Sequence, residues 1–434
     1  MRRACKRVGI RAVRPYLPTM TDMTRQAARP SAGEMTGAPI GFAEFVALIA
    51  ALMALGALGI DSMLPALPAI GEALGVANEN ARQFVITAFL LGFGVAQLAH
   101  GPLADRFGRR RLLICALAAY AVTNVAAAMA GSFTLLLAAR VVGGAAVAAT
   151  RVASIALVRD CYHGPAMARV MSIAFIVFMI VPVLAPTLGQ GVLLIGDWRA
   201  IFWVIAGMTL IILAWFAIRM PETLDPADRQ GIAPARIIAG WRQAIVDRQS
   251  LGYTLAGAAL IGALYGYINS IQQVMYDTFR RPEMLAIVFA ATAATMALAN
   301  LFNARLVMRL GSQRISHVAI MGLIAASAVH LTMSVAGVET LLTFAIVQAV
   351  TMACFGLATS NFGAMAMENM GRIAGTASSV QGFTTITVGT IIGAAIGQAF
   401  DGTTGPMSAG FLVAAVCALA LVLVTERGRL FQPA

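Results

Sequence analysis

Charged side chains are scarce in this sequence. Only 12% of its 434 residues are Asp, Glu, Lys or Arg, whereas soluble domains contain roughly 25%. Hydrophobic residues make up 59%, and the mean hydropathy is +0.82. This composition excludes a soluble enzyme, a secreted disulfide scaffold and a nucleic-acid-binding protein, although the net charge is +12. We therefore expect a protein that lies in the lipid bilayer and binds no nucleic acid.

Residue patterns typical of catalysis and metal binding are also missing from the sequence. The five cysteines are far apart and form no CxxC pair, and the four histidines show no metal-ligand spacing. The sequence contains no HExxH, no GxSxG and no phosphate-binding loop. We therefore predict that the protein is not an enzyme and has no catalytic residue, no metal site and no cofactor.

Apolar windows of membrane-spanning length follow one another along most of the chain. Twelve can be placed, at residues 43–64, 83–103, 112–130, 133–158, 170–195, 200–219, 251–272, 285–306, 317–336, 340–360, 373–400 and 407–425. The longest polar interruption, residues 221–248, lies between two stretches of equal length, 41–220 and 249–428. We predict an all-α membrane protein with 12 transmembrane helices in two six-helix bundles, a cytoplasmic linker at 221–248 and tails at 1–40 and 429–434.

A short internal repeat agrees with two related halves. Arg106 and Gly108 follow the second window, and Arg309 and Gly311 follow the eighth, which is the equivalent window of the second half. Parallel six-helix repeats around a cavity are the architecture of a large transporter superfamily.

Basic residues are distributed unevenly between the two sides of these windows. Those expected outside the cell are Arg82, Arg199, Arg280 and Arg281, those within a span are Arg140 and Arg151, and all others fall on the side of the amino terminus. Because basic loops stay in the cytoplasm, we expect both termini there. The basic tail 1–40 is open to three interpretations: an arm on anionic lipid, a disordered tail, or a start site assigned too early, with Met20, Met23 or Met35 as the true start.

The segment GPLADRFGRRRLL, which follows the second window, resembles the signature of the major facilitator superfamily. The resemblance implies that a loop which locks the conformation contains Gly101, Asp105, Arg106, Gly108, Arg109 and Arg110. Further segments, IDSMLPALPAI, LVRDCY, PVLAPTLG, DWRAIF and PETL, resemble the Bcr/CflA drug efflux proteins, which are proton-coupled antiporters. This similarity implies a major facilitator fold, the bacterial inner membrane, antibiotic resistance, and export of small amphipathic compounds driven by the proton gradient.

The fifth predicted span is similar to the antiporter signature of this family. Pro182, Pro186 and Gly189 match it, and the two prolines predict a kinked helix with a hinge or a sealed helix contact. Gly143 stands where the family's helix 4 signature often has glutamine, and Gln190 stands where a second glycine usually follows. We expect both departures to face the cavity and to affect the range of substrates.

Asp61 is the main candidate for proton coupling. A carboxylate within a span costs roughly 2.5–3.5 kcal/mol to insert, so it is by default a functional candidate. Two alternatives are a position in the headgroup layer and a capping role before Pro65. The resemblance favours a cavity position, and it assigns Arg140 of the fourth span to the family's proton-coupling signature.

Arg151 lies 11 residues beyond Arg140, so both side chains project from one face of the same helix. We expect Arg140 to reach Asp61. Arg151 has no counterpart in the family signature, and it is either a cavity residue or an arginine that snorkels or bonds to the backbone. One carboxylate facing two arginines suits neutral, zwitterionic or weakly anionic compounds better than dications.

Several further residues are candidates for a substrate cavity. They are Arg151, Gln190, Phe175, Phe178, Met179, Tyr265, Asn269 and Gln272, among other polar and aromatic residues of the seventh and eighth spans such as Tyr267, Gln273 and Asn300. Ordinary packing is the alternative for the apolar residues, and anchoring at the membrane interface is the alternative for the tyrosines. The expected partners are a small-molecule substrate and protons, the expected assembly is a monomer, and uptake or efflux of a specific metabolite remains the alternative function.

Overall fold

Twelve helices that are long and apolar enough to cross a membrane dominate the computed structural model of the chain. The structure describes residues 37–229, 231 and 234–431, apart from the side chains of Ala168, Val177, Phe178, Asp228, Pro234, Arg236, Ile237 and Arg372. The helices are α1 Phe42–Ala73, α2 Glu79–Phe107, α3 Arg109–Ala128, α4 Phe133–Cys161, α5 Gly164–Leu193, α6 Trp198–Arg219, α7 Arg248–Thr278, α8 Pro282–Leu310, α9 Ser312–Val335, α10 Leu341–Met367, α11 Ala374–Gln398 and α12 Gly405–Thr425. Each predicted window falls on one of them, which confirms the predicted fold class.

Four of the helices change their geometry near one end. Two of them begin with a 3-10 segment, α2 with Glu79–Gln83 and α8 with Pro282–Met284. In α1, a regular helix ends at Asp61, a 3-10 turn covers Leu64–Ala66, and a second short helix covers Leu67–Ala73. Pro65 and Pro68 begin the new turns, because proline lacks the N–H that would continue the preceding helix. In α7, the last turn, Val274–Thr278, is a π-helix.

The helices pack in the same pairs in both halves of the chain. In the first half, α1 packs on α5, α2 on α4 and α3 on α6; in the second half, α7 packs on α11, α8 on α10 and α9 on α12. Adding six to each helix number of the first set gives the second set, as two repeated six-helix bundles require. Contacts between the bundles run through α2 with α11 and α5 with α8.

The predicted terminal and linking segments are only partly described. Residues 1–36 of the predicted tail lie outside the described residues, so its three interpretations stay open. The predicted linker contains a helix, Pro234–Val246, which packs on α11 and was not expected from the sequence. The domain boundaries at 41–220, 221–248, 249–428 and 429–434 stay predictions.

The ends of the helices differ in charge. We call the end that carries the α2–α3 loop, the linker and the α8–α9 loop the basic end, and the end that carries Asp61 the opposite end. Arg106, Arg109 and Arg110 lie at the basic end, as do Arg309 and Arg314.

Candidate functional site

Asp61 lies where the first regular section of α1 ends. Its side chain is buried, with 5% exposure, and it forms no hydrogen bond or ion pair with any residue that the structure describes. The next residue, Ser62, turns its hydroxyl back to the carbonyl of Leu58 at 2.5 Å. Asp61 is thus enclosed by protein, and no capping bond by Asp61 is among the described contacts.

Arg140 is close to α1 but does not pair with Asp61. Its guanidinium donates to two backbone oxygens, that of Gly59 at 2.7 Å and that of Val85 at 3.0 Å. It also stacks on Phe89, with 4.2 Å from the guanidinium carbon to the ring centroid. The expected bridge between Arg140 and Asp61 is therefore not formed in this conformation, because two carbonyls and an aromatic ring already satisfy the guanidinium.

The second bundle contributes two tyrosines to the surroundings of Asp61. Tyr265 and Tyr267 of α7 both interact electrostatically with Asp61, and Tyr265 also interacts with Arg151. Tyr267 is held in place by a hydrogen bond of 2.8 Å to Thr292 and by stacking on the Phe289 ring. Tyr265 thus lies within electrostatic range of both Asp61 and Arg151 of the first bundle.

A cavity of about 1120 Å³ lies between the bundles and reaches the loops of the basic end. Its walls come from α2, α4, α7, α10 and α11, and the linker helix forms part of its rim through Ala239, Gly240, Trp241 and Gln243. Arg151 of α4 lines it, together with apolar neighbours such as Val152 and Ile155. Of the residues predicted for the substrate cavity, Arg151 is the one that the structure places in this lining.

The other predicted cavity residues lie elsewhere. Asn269 and Gln272 are buried in α7 towards the opposite end, and neither amide atom of Asn269 has a described hydrogen-bond partner. Phe175 is exposed and Met179 half-buried on α5, whereas the side chain of Phe178 lies outside the described residues. The departures from the family pattern are not in the lining: Gln190 donates to the carbonyl of Pro282 at 3.5 Å, and Gly143 packs against Thr123.

At the opposite end, four amide side chains join the two bundles. Gln83 donates to Gln273 at 2.5 Å and to the carbonyl of Gly397 at 3.0 Å. Gln273 donates to Asn80 at 2.7 Å, and Gln398 donates to the carbonyl of Asn80 at 2.7 Å. We call Asn80, Gln83, Gln273 and Gln398 the amide cluster. It joins the two bundles at the opposite end, whereas the cavity reaches the loops of the basic end.

The predicted loop between α2 and α3 is a single-residue turn. Gly108 has φ +94° and ψ 154°, and Gly311 repeats this conformation between α8 and α9 with φ +78° and ψ 153°. This region is essentially restricted to glycine, so the repeated glycines have a common backbone cause. Asp105 and Arg106 therefore lie in the last turn of α2, Gly101 lies in the lining of the cavity, and Arg109 begins α3.

Arg109 is the buried centre of a charge network at this turn. Its guanidinium pairs with Asp105 at 3.0 Å and with Asp160 of α4 at 3.0 Å. Glu222 accepts from the backbone N–H groups of Arg109 and Arg110, at 2.9 and 3.3 Å. A carboxylate at the N-terminus of a helix satisfies N–H groups that have no partner within the helix.

Two neighbours of this network extend it to α6. Arg110 donates to the carbonyls of Ala217 and Met220, both at 2.8 Å, and Thr223 donates to Asp160 at 3.0 Å. Asp160 and Glu222 were not predicted as site residues, although the segments LVRDCY and PETL that contain them carry part of the family resemblance.

The antiporter signature of α5 lies against the break in α1. The helix α5 is continuous over Pro182 and Pro186. A Cβ atom at Gly189 would lie 2.2 Å from the carbonyl oxygen of Ser62, so only glycine permits this contact. The signature thus brings α5 into direct contact with the backbone that follows Asp61.

No metal site accompanies these residues. Within the described part of the chain, no group of three or more His, Cys, Asp or Glu side chains is arranged to hold a metal ion.

Known proteins resemble this chain over most of its length. The family model described as Major Facilitator Superfamily matches residues 47–394. An uncharacterized MFS-type transporter, YdgK, of Bacillus subtilis is 28% identical over 82% of this chain and 89% of its own. A bicyclomycin resistance protein homolog of Haemophilus influenzae is 28% identical over 80% of this chain and 87% of its own, which confirms the predicted resemblance to the Bcr/CflA group.

A solved structure also shares the fold. The crystal structure of the human organic anion transporter MFSD10 (TETRAN) has a TM-score of 0.59 and 19% sequence identity. The match covers 89% of this chain and 100% of that chain.

Proposed function

Because the chain belongs to the major facilitator superfamily, whose model matches residues 47–394, we propose that it exports small amphipathic, drug-like compounds in exchange for protons. The similarity to a bicyclomycin resistance protein homolog supports drug export as the direction and class of transport. The observation that carries the proton coupling is Asp61, a buried carboxylate without an ion-pair partner among the described residues.

The proposed location is the bacterial inner membrane, with the basic end and both termini in the cytoplasm. Basic loops are retained on the cytoplasmic side during insertion, and the described arginines outside the spans lie mostly at this end. With this orientation, the cavity opens to the cytoplasm and the amide cluster closes the outer side. The described cavity is lined by residues of one chain, and a monomer is the proposed transporting unit.

Asp61 is the proposed proton carrier. A charged carboxylate without a partner is costly to bury, and binding a proton removes the charge. When the opposite end opens, water reaches this part of α1 and the carboxyl can exchange its proton with the outside. When the basic end opens, the proton passes to the cytoplasm, and the cycle moves substrate outward at the expense of the gradient.

The two bundles alternate between these states by rocking about their contacts. The α5–α8 and α2–α11 contacts join the bundles on either side of the cavity, and Gly189 links α5 to the break beside Asp61. A change at the carboxyl is thereby transmitted directly to a helix that forms the contact between the bundles.

The proposal is tested by Asp61→Asn, which keeps the shape of the side chain and removes the proton site. Purified protein is reconstituted in liposomes that are loaded with chloramphenicol or ethidium, and an inward-directed pH gradient is imposed. We expect gradient-driven transport to fall at least tenfold, while substrate exchange without a gradient continues. Asp197→Asn is the matched control, since asparagine also caps α6 and Asp197 is exposed.

Two results would contradict this function. Wild-type rates of gradient-driven transport in Asp61→Asn would remove Asp61 as the carrier. If right-side-out vesicles accumulate the same compounds in their lumen, which corresponds to the cytoplasm, the protein is an importer and not an exporter. Uptake of this kind is expected for a transporter of a metabolite.

A further inference from the structure

Arg151 is a cation that faces the cavity without a partner. It is exposed, and its exposure is to the cavity, since Arg151 is part of the lining. Its guanidinium forms no hydrogen bond and no ion pair with any residue that the structure describes, and its interaction is the electrostatic one with Tyr265. The snorkelling and backbone-bonded alternatives therefore do not describe this arginine.

Arg140, on the same helix face, is an arginine whose guanidinium is engaged in contacts within the protein. It is 2% exposed, bonds two carbonyls and stacks on Phe89. Arg151 lies 11 residues further along α4, which is close to three turns, and has none of these contacts. Both residues are arginines on the same face of α4. The difference between them therefore lies in the hydrogen-bond acceptors and aromatic rings that the surrounding helices place near each guanidinium.

The described part of the cavity wall supplies no carboxylate for Arg151. The other charged residues of the described lining are Asp105 and Arg159, at the basic end. Asp105 pairs with Arg109 at 3.0 Å, and Arg159 adds a second positive charge. The lining is thus positive, and an anion is the partner that its electrostatic potential favours.

A second polar side chain of the lining is also without a partner at the same depth. Gln97 of α2 is 3% exposed, and its Nε2 atom has no described hydrogen-bond acceptor, while its Oε1 atom packs against Gly382. Gln97 and Arg151 each lie ten residues before the end of their helices at the basic end, or about 15 Å along the axis. Because α2 and α4 pack on each other, two unpartnered donors lie at one level of the cavity.

From this arrangement we propose that Arg151, assisted by Gln97, is an anion-binding subsite that takes the carboxylate of an amphipathic monocarboxylate. The guanidinium fork matches the two oxygens of a carboxylate. The Nε2 group of Gln97 has no accessible surface in this conformation, and it donates an additional N–H once the side chain rotates into the cavity. The adjacent Val152, Ile155 and Ile261 offer apolar surface for the body of the same molecule. This subsite rests on the proposed function, since it lies in the cavity through which that function moves its substrate.

Equilibrium binding to the purified full-length protein tests the subsite without a proton gradient. The probes are phenylacetate, 1-naphthaleneacetate and 4-biphenylacetate, each compared with its neutral amide of nearly equal shape, by isothermal titration calorimetry. We expect at least one carboxylate to bind about tenfold or more tightly than its amide, as a charge-assisted fork predicts. In Arg151→Gln this preference disappears while amide binding is retained, and in Arg151→Lys the preference is reduced but not abolished, because lysine keeps the charge and lacks the fork.

Arg159→Gln is the matched control, because it removes the same charge from the same cavity nearer to its mouth. If Arg159→Gln abolishes the preference for the carboxylate as fully as Arg151→Gln, the preference comes from the electrostatic potential of the whole cavity. The proposed subsite at Arg151 is then overturned. Absence of carboxylate binding across the panel, or a preference that survives in Arg151→Gln, also overturns it. Loss of proton-driven export with an intact Arg151-dependent preference would instead contradict only the proposed function.

Discussion

Arg140 and Arg151 have opposite environments although they share one face of α4. Arg140 fills the space between α1, α2 and α4 and bonds the carbonyls of Gly59 and Val85, which gives it a part in holding these helices together. Arg151 contacts the cavity instead. The same residue type is therefore structural at one level of the helix and available to a ligand at another.

This difference predicts opposite effects on stability. Arg140→Gln removes a charged fork and the two hydrogen bonds that it donates to the carbonyls of Gly59 and Val85, which costs about 1–3 kcal/mol. Arg151→Gln removes no described hydrogen bond, so we expect little change. Thermal unfolding of both variants in detergent, followed by intrinsic fluorescence, measures the contrast. Equal loss of stability in the two variants would show that Arg151 has a structural role.

Among the helices, the single-residue turns at Gly108 and Gly311 have the same backbone and different surroundings. A Cβ atom at Gly108 would lie 2.1 Å from Oε2 of Glu222, whereas a Cβ atom at Gly311 would have no atom within 4 Å. The first turn is thus enclosed by the network of Arg109, and its equivalent in the second bundle is open. The two bundles therefore share the backbone conformation of this turn but not the side-chain contacts around it.

Replacing the two glycines separates backbone strain from crowding. Gly311→Ala introduces only the backbone cost, about 1–3 kcal/mol for a non-glycine residue in this region. Gly108→Ala adds the overlap with Glu222, so we expect a larger loss of thermal stability. In the double variant Gly108→Ala with Glu222→Ala, the overlap is removed and the loss should be smaller than the sum of the single losses. Additive effects in this double-mutant cycle would show that the two residues do not interact.

The helices were predictable from the sequence, and most contacts at the site were not. Apolar length alone located α1 to α12, because a span needs about 20 apolar residues whatever its neighbours are. The expected pairing of Arg140 with Asp61 rested on their charges and on their positions within the spans, which carry no information on competing acceptors such as the carbonyl of Gly59. The amide cluster joins residues up to 318 positions apart in the sequence, so no local sequence pattern predicts it.

At the scale of the whole molecule, different chemistry is found at the two ends. At the opposite end the bundles are joined by uncharged amides, whereas at the basic end Arg109, Asp105 and Asp160 link helices within the first bundle. Neutral hydrogen bonds contribute about 0.5–1.5 kcal/mol each, so a few of them can hold an end closed and still be exchanged for water during the cycle. The closed opposite end is therefore a state that small changes can shift.

Removing amide side chains from the cluster should shift the equilibrium between molecules with a closed opposite end and molecules with an open one. Gln83→Ala with Gln273→Ala deletes the hydrogen bonds between the two side chains and those to Gly397 and Asn80. A loss of about 1.4 kcal/mol corresponds to a tenfold change in the ratio of closed to open molecules. Spin labels are attached at Ala77→Cys and Thr403→Cys, two exposed positions on different bundles, in a cysteine-free background. Pulsed electron paramagnetic resonance then measures the distance between the two labels at the opposite end.

The expected result is a new population with a longer distance at the opposite end. Gln249→Ala is the matched control, since Gln249 bonds Glu368, Asn369 and the carbonyl of Met365 within the second bundle and does not join the bundles. This control should leave the distance distribution unchanged. If the amide variant also keeps the wild-type distribution, the cluster does not hold the end closed, and helix packing between α2 and α11 or α5 and α8 must supply the closure instead.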